Sequence, residues 1–194
     1  MGLETSFKNA LSKEPGIITE LVRLGYKVDE DLKYLASGAY AHAFLINDKY
    51  VIKFTREEYD YNNWEVLVGA KTKHLAKTLY VGELTHLTAP ERSPYMIVQK
   101  YYKKKVPIIG NGKQIISSFN SLVYKYGFSK PFNMLFDKLC ETHGSADYSD
   151  KPLFKQLYSA YKELNEYGLF VDDLDIHFEN IRYDDKGVLK IIDF

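Results

Sequence analysis

Apolar residues recur at helical intervals over Leu3 to Leu11 and Ile17 to Leu24, with a break at Pro15-Gly16 and a stop at Gly25, which predicts two short N-terminal helices. From Leu32 the period shortens to two. The runs KYLASG, AHAFLIN and YVIKFT predict three antiparallel strands, the last two turned at Asp48-Lys49. Helical spacing returns from Glu57 to Lys73, with Tyr61, Trp64, Leu67 and Val68 on one face and Thr55 as the candidate N-cap. Leu79 to Val81 and Tyr95 to Tyr101 predict two further strands, joined by a loop holding Pro90 and Pro94. Beyond Gly110-Asn111-Gly112, helices are expected over Gln114 to Tyr126, Pro131 to Glu141 and Pro152 to Tyr167. Two short strands follow, Ile181 to Tyr183 and Val188 to Ile192, turned at Asp184 to Gly187.

The pattern predicts an α+β protein. Residues 1–31 form a helical extension and residues 32–101 a five-stranded antiparallel lobe with one main helix. After a connector near Lys100 to Lys105, residues 102–194 form a helical lobe carrying the small hairpin.

At 194 residues and 45% hydrophobic content the chain can bury a substantial core. Lys plus Arg and Asp plus Glu number 26 each, so no global charge draws the chain to nucleic acid or to an anionic membrane, and neither is expected as a partner. The single Cys140 fits a reducing compartment. No signal-like run is seen, and nothing nears the roughly 20 apolar residues that cross a bilayer, so the expected location is cytoplasmic. Locally, Lys103-Lys104-Lys105 reads as a solvated loop. Cys140-x-x-His143 lacks a second pair at zinc-ligand spacing, and the tyrosines and phenylalanines between Phe119 and Tyr167 read as packing.

Chemistry concentrates near the C-terminal end, in VDDLDIHFENIRYDDKGVLKIIDF. Asp175 and Asn180 are five positions apart, and Asp193 follows Asn180 after one hairpin, which brings its two ends together. An amide oxygen and a carboxylate side by side are the hard ligands Mg²⁺ prefers, with Asp175 left to take a proton from an attacking hydroxyl. Upstream, Gly38 stands among Ala36, Ser37, Ala39 and Ala41, where the backbone has room to approach phosphates. Lys53 is the one charged residue of an apolar strand and needs an anionic partner, which Glu65 on the following helix is placed to supply.

In this order the parts resemble the protein-kinase-like superfamily over residues 32–194. Val51-Ile-Lys53 stands where that family has V-A-I-K, Asp175-Ile-His-Phe-Glu-Asn180 where it has D-L-K-P-E-N, and Ile191-Ile-Asp193-Phe194 where it has the metal-binding D-F-G. The resemblance implies a bilobal kinase fold that binds ATP and Mg²⁺. Lys53 then pairs with Glu65, Asp175 is the catalytic base, and Asn180 and Asp193 hold the metal. Gln99 is the gatekeeper, leading through Lys100 and Tyr101 into the adenine-binding hinge.

Three departures stand out. Ala36 and Ala41 replace two loop glycines, Asp173-Leu174 replace the His-Arg of H-R-D, and His177 replaces a lysine to give the D-x-H-x-x-N of aminoglycoside and choline kinases. The motif order runs out at the D-F-G position. This reads as a truncated product, or as a minimal form that uses residues 114–141 or a partner chain in place of the missing half.

The expected function is ATP- and Mg²⁺-dependent phosphoryl transfer to a hydroxyl, with a protein Ser or Thr acceptor placed slightly ahead. A small-molecule kinase is the first alternative. A pseudokinase that holds a partner is the second.

Overall fold

The structure, a computed structural model, describes residues 3–30, 32–86, 94–107, 113–142, 148–169 and 176–193. It falls into two compact units, residues 1–70 with 77–101, and residues 71–76 with 102–194.

The first unit is a five-stranded antiparallel sheet with helices on both faces. Its strands are β1 (Lys33–Ser37), β2 (Ala41–Asn47), β3 (Tyr50–Thr55), β4 (Thr78–Glu83) and β5 (Tyr95–Lys100), in the order β1-β2-β3-β5-β4. This is the α+β class and the five-stranded sheet that the residue pattern predicts. Side chains alternate across each strand. Phe44, Ile52, Phe54, Met96 and Val98 therefore share one face, and they form a single core with Phe7 and Leu11 of helix α1 (Leu3–Leu11) and Ile17 and Leu21 of α2 (Pro15–Arg23). The N-terminal segment is thus a layer of this unit. Phe7 stacks on Phe54 with ring centroids 4.2 Å apart and meets Phe44 edge-on at 5.7 Å. Polar ties hold the layer in place, for Glu14 Oε1 accepts both the amide and the hydroxyl of Thr85 at 2.7 Å, and Asn47 Nδ2 donates to the Leu24 carbonyl at 2.9 Å.

Helix α3 (Glu58–Val66) packs on the other face, through Asn63 and Trp64. It is seven residues shorter at its C-terminal end than the expected Lys73. Gly69 adopts φ +74°, in the left-handed region that ends helices, and Val68 forms a bridge to Thr78. Thr55 lies two residues ahead of the N-cap position, Glu57, and its hydroxyl accepts the Glu57 amide at 3.2 Å.

In the second unit, α4 (Lys113–Tyr126), α5 (Phe132–Thr142) and α6 (Lys151–Glu166) bury Phe119, Phe136, Phe154, Leu157 and Tyr161. Strands β6 (Lys104–Lys105), β7 (Ile181–Tyr183) and β8 (Leu189–Ile191) make a three-stranded sheet in that order. The lysine run expected to be a loop supplies β6, an exposed edge strand paired with β7 at Lys104 to Tyr183 and Lys105 to Arg182. Edge positions suit lysine, because its charge discourages further strand pairing. Residues 71–76 belong here too. Glu163 accepts the amides of Lys73 (2.9 Å) and His74 (2.7 Å), and Leu75 bridges to Ile191.

Candidate functional site

Register places Lys53 and Gln99 on one face of the first unit's sheet. Lys53 pairs with Ala43 and Ile97, and Gln99 pairs with Val51 and Thr78. All six lie on the face opposite the α1–α2 layer, where α3 packs. Lys53 Nζ is 2.7 Å from Asp60 Oδ2, with the two side chains only 13% and 14% exposed. The expected partner, Glu65, is exposed, and its carboxylate accepts the Tyr61 hydroxyl at 3.3 Å.

The correction has a geometric cause. Asp60, Asn63, Trp64 and Leu67 follow the i, i+3, i+4, i+7 spacing, and the last three are buried. The inward stripe of α3 therefore runs through Asp60, and Glu65 is turned away from it. The phase was available in the sequence once Trp64 and Leu67 were taken as its centre.

Gly38 sits in the β1–β2 turn, where its amide donates to the Ala41 carbonyl at 2.9 Å. A Cβ at this position would meet no atom within 4 Å, so the fold itself leaves room for alanine. Arg56, which sequence reasoning passed over, fastens the turn. Its side chain donates to the Ala39 carbonyl at 2.5 Å, its amide donates to the Tyr40 carbonyl at 3.1 Å, and its guanidinium lies 5.2 Å from the Tyr40 ring centroid.

At the far end of β5, Gln99 is 4% exposed, and its Nε2 has no hydrogen-bond acceptor among the described residues. A buried amide donor left this way costs about 1–3 kcal/mol. Lys100 and Tyr101 continue the strand edge, their amides donating to the carbonyls of Lys77 (2.9 Å) and Lys49 (2.7 Å).

In the second unit the hairpin does what its spacing predicts. Ile181 pairs with Ile191, and the Ile192 amide donates to the Asn180 carbonyl at 2.8 Å, so Asn180 and Asp193 stand at adjoining ends of the same ladder. The turn is closed by Asp184, whose Oδ1 accepts the amides of Lys186 and Val188 at 2.9 Å, with Gly187 at φ +77°. His177 is 7% exposed and caps the short 3₁₀ turn Phe178–Asn180, its Nδ1 accepting the Glu179 amide at 3.1 Å. Asp175 lies outside the described residues, as do Asp173 and Leu174. Among the described residues no cluster of three or more His, Cys, Asp or Glu could hold a metal ion, and no helix is long and apolar enough to cross a membrane.

No protein family matches the sequence, and no curated protein does. Several solved structures are similar in fold. A streptomycin–ATP–APH(2")-IIa ternary complex shares 14% identity over 84% of this chain and 66% of that one, with a TM-score of 0.36. A GDP complex of aminoglycoside 2'-phosphotransferase-IIIa shares 14% over 80% and 60%, also at 0.36. An ADP-bound aminoglycoside phosphotransferase, APH(2'')-Ib, shares 17% over 91% and 69%, again at 0.36. The chain spans less than two thirds of the length of the first two. Likeness at this level carries no functional argument.

Proposed function

We propose that the chain is an ATP- and Mg²⁺-dependent phosphotransferase acting on a small-molecule alcohol. The observation that carries the nucleotide part is the presence, on one sheet face, of a strand lysine held by Asp60 and a buried amide donor that has no acceptor among the described residues. A nucleotide offers what that face is missing, phosphate oxygens for Lys53 and base acceptors for Gln99. Asn180 and Asp193 would hold Mg²⁺, and the donor set fits, being two hard oxygen ligands at the joined ends of one hairpin. The metal when bound neutralises phosphate charge.

Asp175 is proposed as the base that takes the proton of the acceptor hydroxyl. The alcohol oxygen bonds to the γ-phosphorus as the bond to the β–γ bridging oxygen breaks, and ADP leaves with those electrons. His177 favours a small acceptor over Ser or Thr of a protein, the order opposite to that expected from sequence. Its D-x-H-x-x-N setting is joined here by a defined role, an imidazole nitrogen capping the turn that ends in Asn180.

An ATP-consumption screen over aminoglycosides and other alcohols, run against a panel of Ser- and Thr-bearing proteins, tests the reading. Turnover is expected with a small alcohol and is expected to be lost in Asp175→Asn. Turnover only with proteins would restore the Ser/Thr kinase. Stabilisation by Mg²⁺-ATP without turnover on any acceptor would make the chain a silent binder; saturating ligand at a hundred times its Kd is worth about 2.7 kcal/mol.

A further inference from the structure

A groove of about 410 Å³ opens on the second unit, between the α4–α5 connection and one stripe of α6. The stripe is Lys155, Tyr158, Ser159 and Lys162, at i, i+3, i+4 and i+7. Gln156 and Glu163, which hold the β8 amide of Leu189 and residues 73–74, lie about 100° round the helix. The groove is therefore a separate use of α6.

Two kinds of side chain line it. Phe128, Phe132 and Tyr158 form an aromatic wall, with ring centroids 5.7 Å (Phe128 to Tyr158) and 5.9 Å (Phe132 to Tyr158) apart. The wall is fixed rather than loose, since the buried Tyr158 hydroxyl donates to the Lys130 carbonyl at 2.9 Å and pins the connection to the helix. Around it stand three exposed ammonium groups, of Lys130, Lys155 and Lys162. Lys162 Nζ lies 5.1 Å from the Tyr158 ring centroid, and among the described residues none of the three is paired with a carboxylate. Among the described residues no acidic side chain lines the groove.

In a chain of zero formal charge, this is a local excess of three positive charges beside three ring faces. Solvated surface lysines are the ordinary alternative; here three of them stand at the rim of one open groove of ligand size, beside aromatic rings that supply its apolar lining. We infer that this groove binds a phosphorylated ring compound of about nucleoside-monophosphate size, the ring lying on the aromatic wall and the phosphate among Lys130, Lys155 and Lys162. The inference stands apart from the proposed phosphotransfer site, because it uses none of that site's residues.

Phenyl phosphate is the probe, since it carries the ring and the dianion without a nucleoside. Amide chemical-shift titrations of the full chain would be run with phenyl phosphate, inorganic phosphate and benzyl alcohol. The expected result is a saturable shift at Phe128, Ser129 and Tyr158 with phenyl phosphate, and weaker binding of the other two. Lys130→Gln/Lys155→Gln/Lys162→Gln should weaken phenyl phosphate about tenfold or more while the spectrum stays folded, all three positions being exposed. Added salt should weaken it as well. Unchanged affinity in the triple variant, equal binding of benzyl alcohol or of inorganic phosphate, or no saturable shift would each overturn the inference. Shifts confined to residues near Lys53 and Gln99 would report the nucleotide site and overturn it too.

Discussion

A lysine in the middle of an apolar strand is costly unless a counter-charge reaches it, and Asp60 does so at 2.7 Å with both groups largely shielded from water. Removing one partner of a fully buried pair costs about 3–5 kcal/mol, and the slight exposure here puts Asp60→Ala at or below the low end of that range. Glu65→Ala, on the exposed side of the same helix, should change stability by no more than about 0.5 kcal/mol. Urea denaturation of both variants checks this, and equal losses would return the pairing to Glu65. Gln99 gives a second prediction of opposite sign. Gln99→Met keeps the volume and removes the donor without an acceptor, so the protein should gain up to about 1–3 kcal/mol while its affinity for Mg²⁺-ATP falls. A calorimetric Tm and an ATP titration of the same sample decide it; a loss of both would mean that the amide serves the fold. At this scale the sequence makes the positions of Lys53 and Gln99 in their strands, and of Asn180 and Asp193 at the two ends of one hairpin, legible, because each stands at a spacing its element fixes. Asp60 was hidden by helix phase, since a one-residue error in placing the apolar stripe turns the inward carboxylate outward.

Elements were readable wherever period and punctuation agree, as in α1, α2, β2, β3 and the β7–β8 hairpin. They were misread where tertiary pairing decides. The lysines of β6 carry no strand signal of their own and become a strand only because β7 lies beside them. Residues 71–73 read as the end of a helix, yet with residues 74–76 they belong to the second unit through Glu163 and β8. His74 anchors that segment. It is 3% exposed, and its Nδ1 is 3.1 Å from the Leu189 carbonyl, the geometry of a neutral imidazole donating there. Burial holds its pKa below the ordinary 6.5, outweighing the Leu189 hydrogen bond and the Glu163 charge, which raise it. The unfolded chain therefore binds a proton first as pH falls. The stability that His74 contributes is complete above about 6.5 and is lost as pH drops from there toward the folded pKa. His74→Gln should flatten that part of the pH–stability curve between pH 7 and 5. An unchanged slope would place the acid sensitivity elsewhere.

At the scale of the molecule, each unit has its own core, and the least legible feature is how far the first depends on residues before the sheet. Periodicity predicted two helices there but could not say what they cover. An amphipathic helix records that one face is buried and leaves its partner unspecified. The structure supplies the partner, since Phe7, Leu11, Ile17 and Leu21 close the face formed by Phe44, Ile52, Phe54, Met96 and Val98. Without them, five large apolar side chains on three adjacent strands would face water. At about 1.5–3 kcal/mol for each side chain so exposed, the loss is of the same order as the whole stability of a typical domain. Deleting residues 1–30 should therefore unfold the first unit, with amide exchange in β2, β3 and β5 accelerated to the rate of an unstructured chain. Phe7→Ala offers a graded version. It removes the ring stacked on Phe54 and should cost about 3–5 kcal/mol without changing the topology. A deleted chain whose strand amides stay as protected as in the full protein would show that the sheet holds itself together and that the two helices only decorate it.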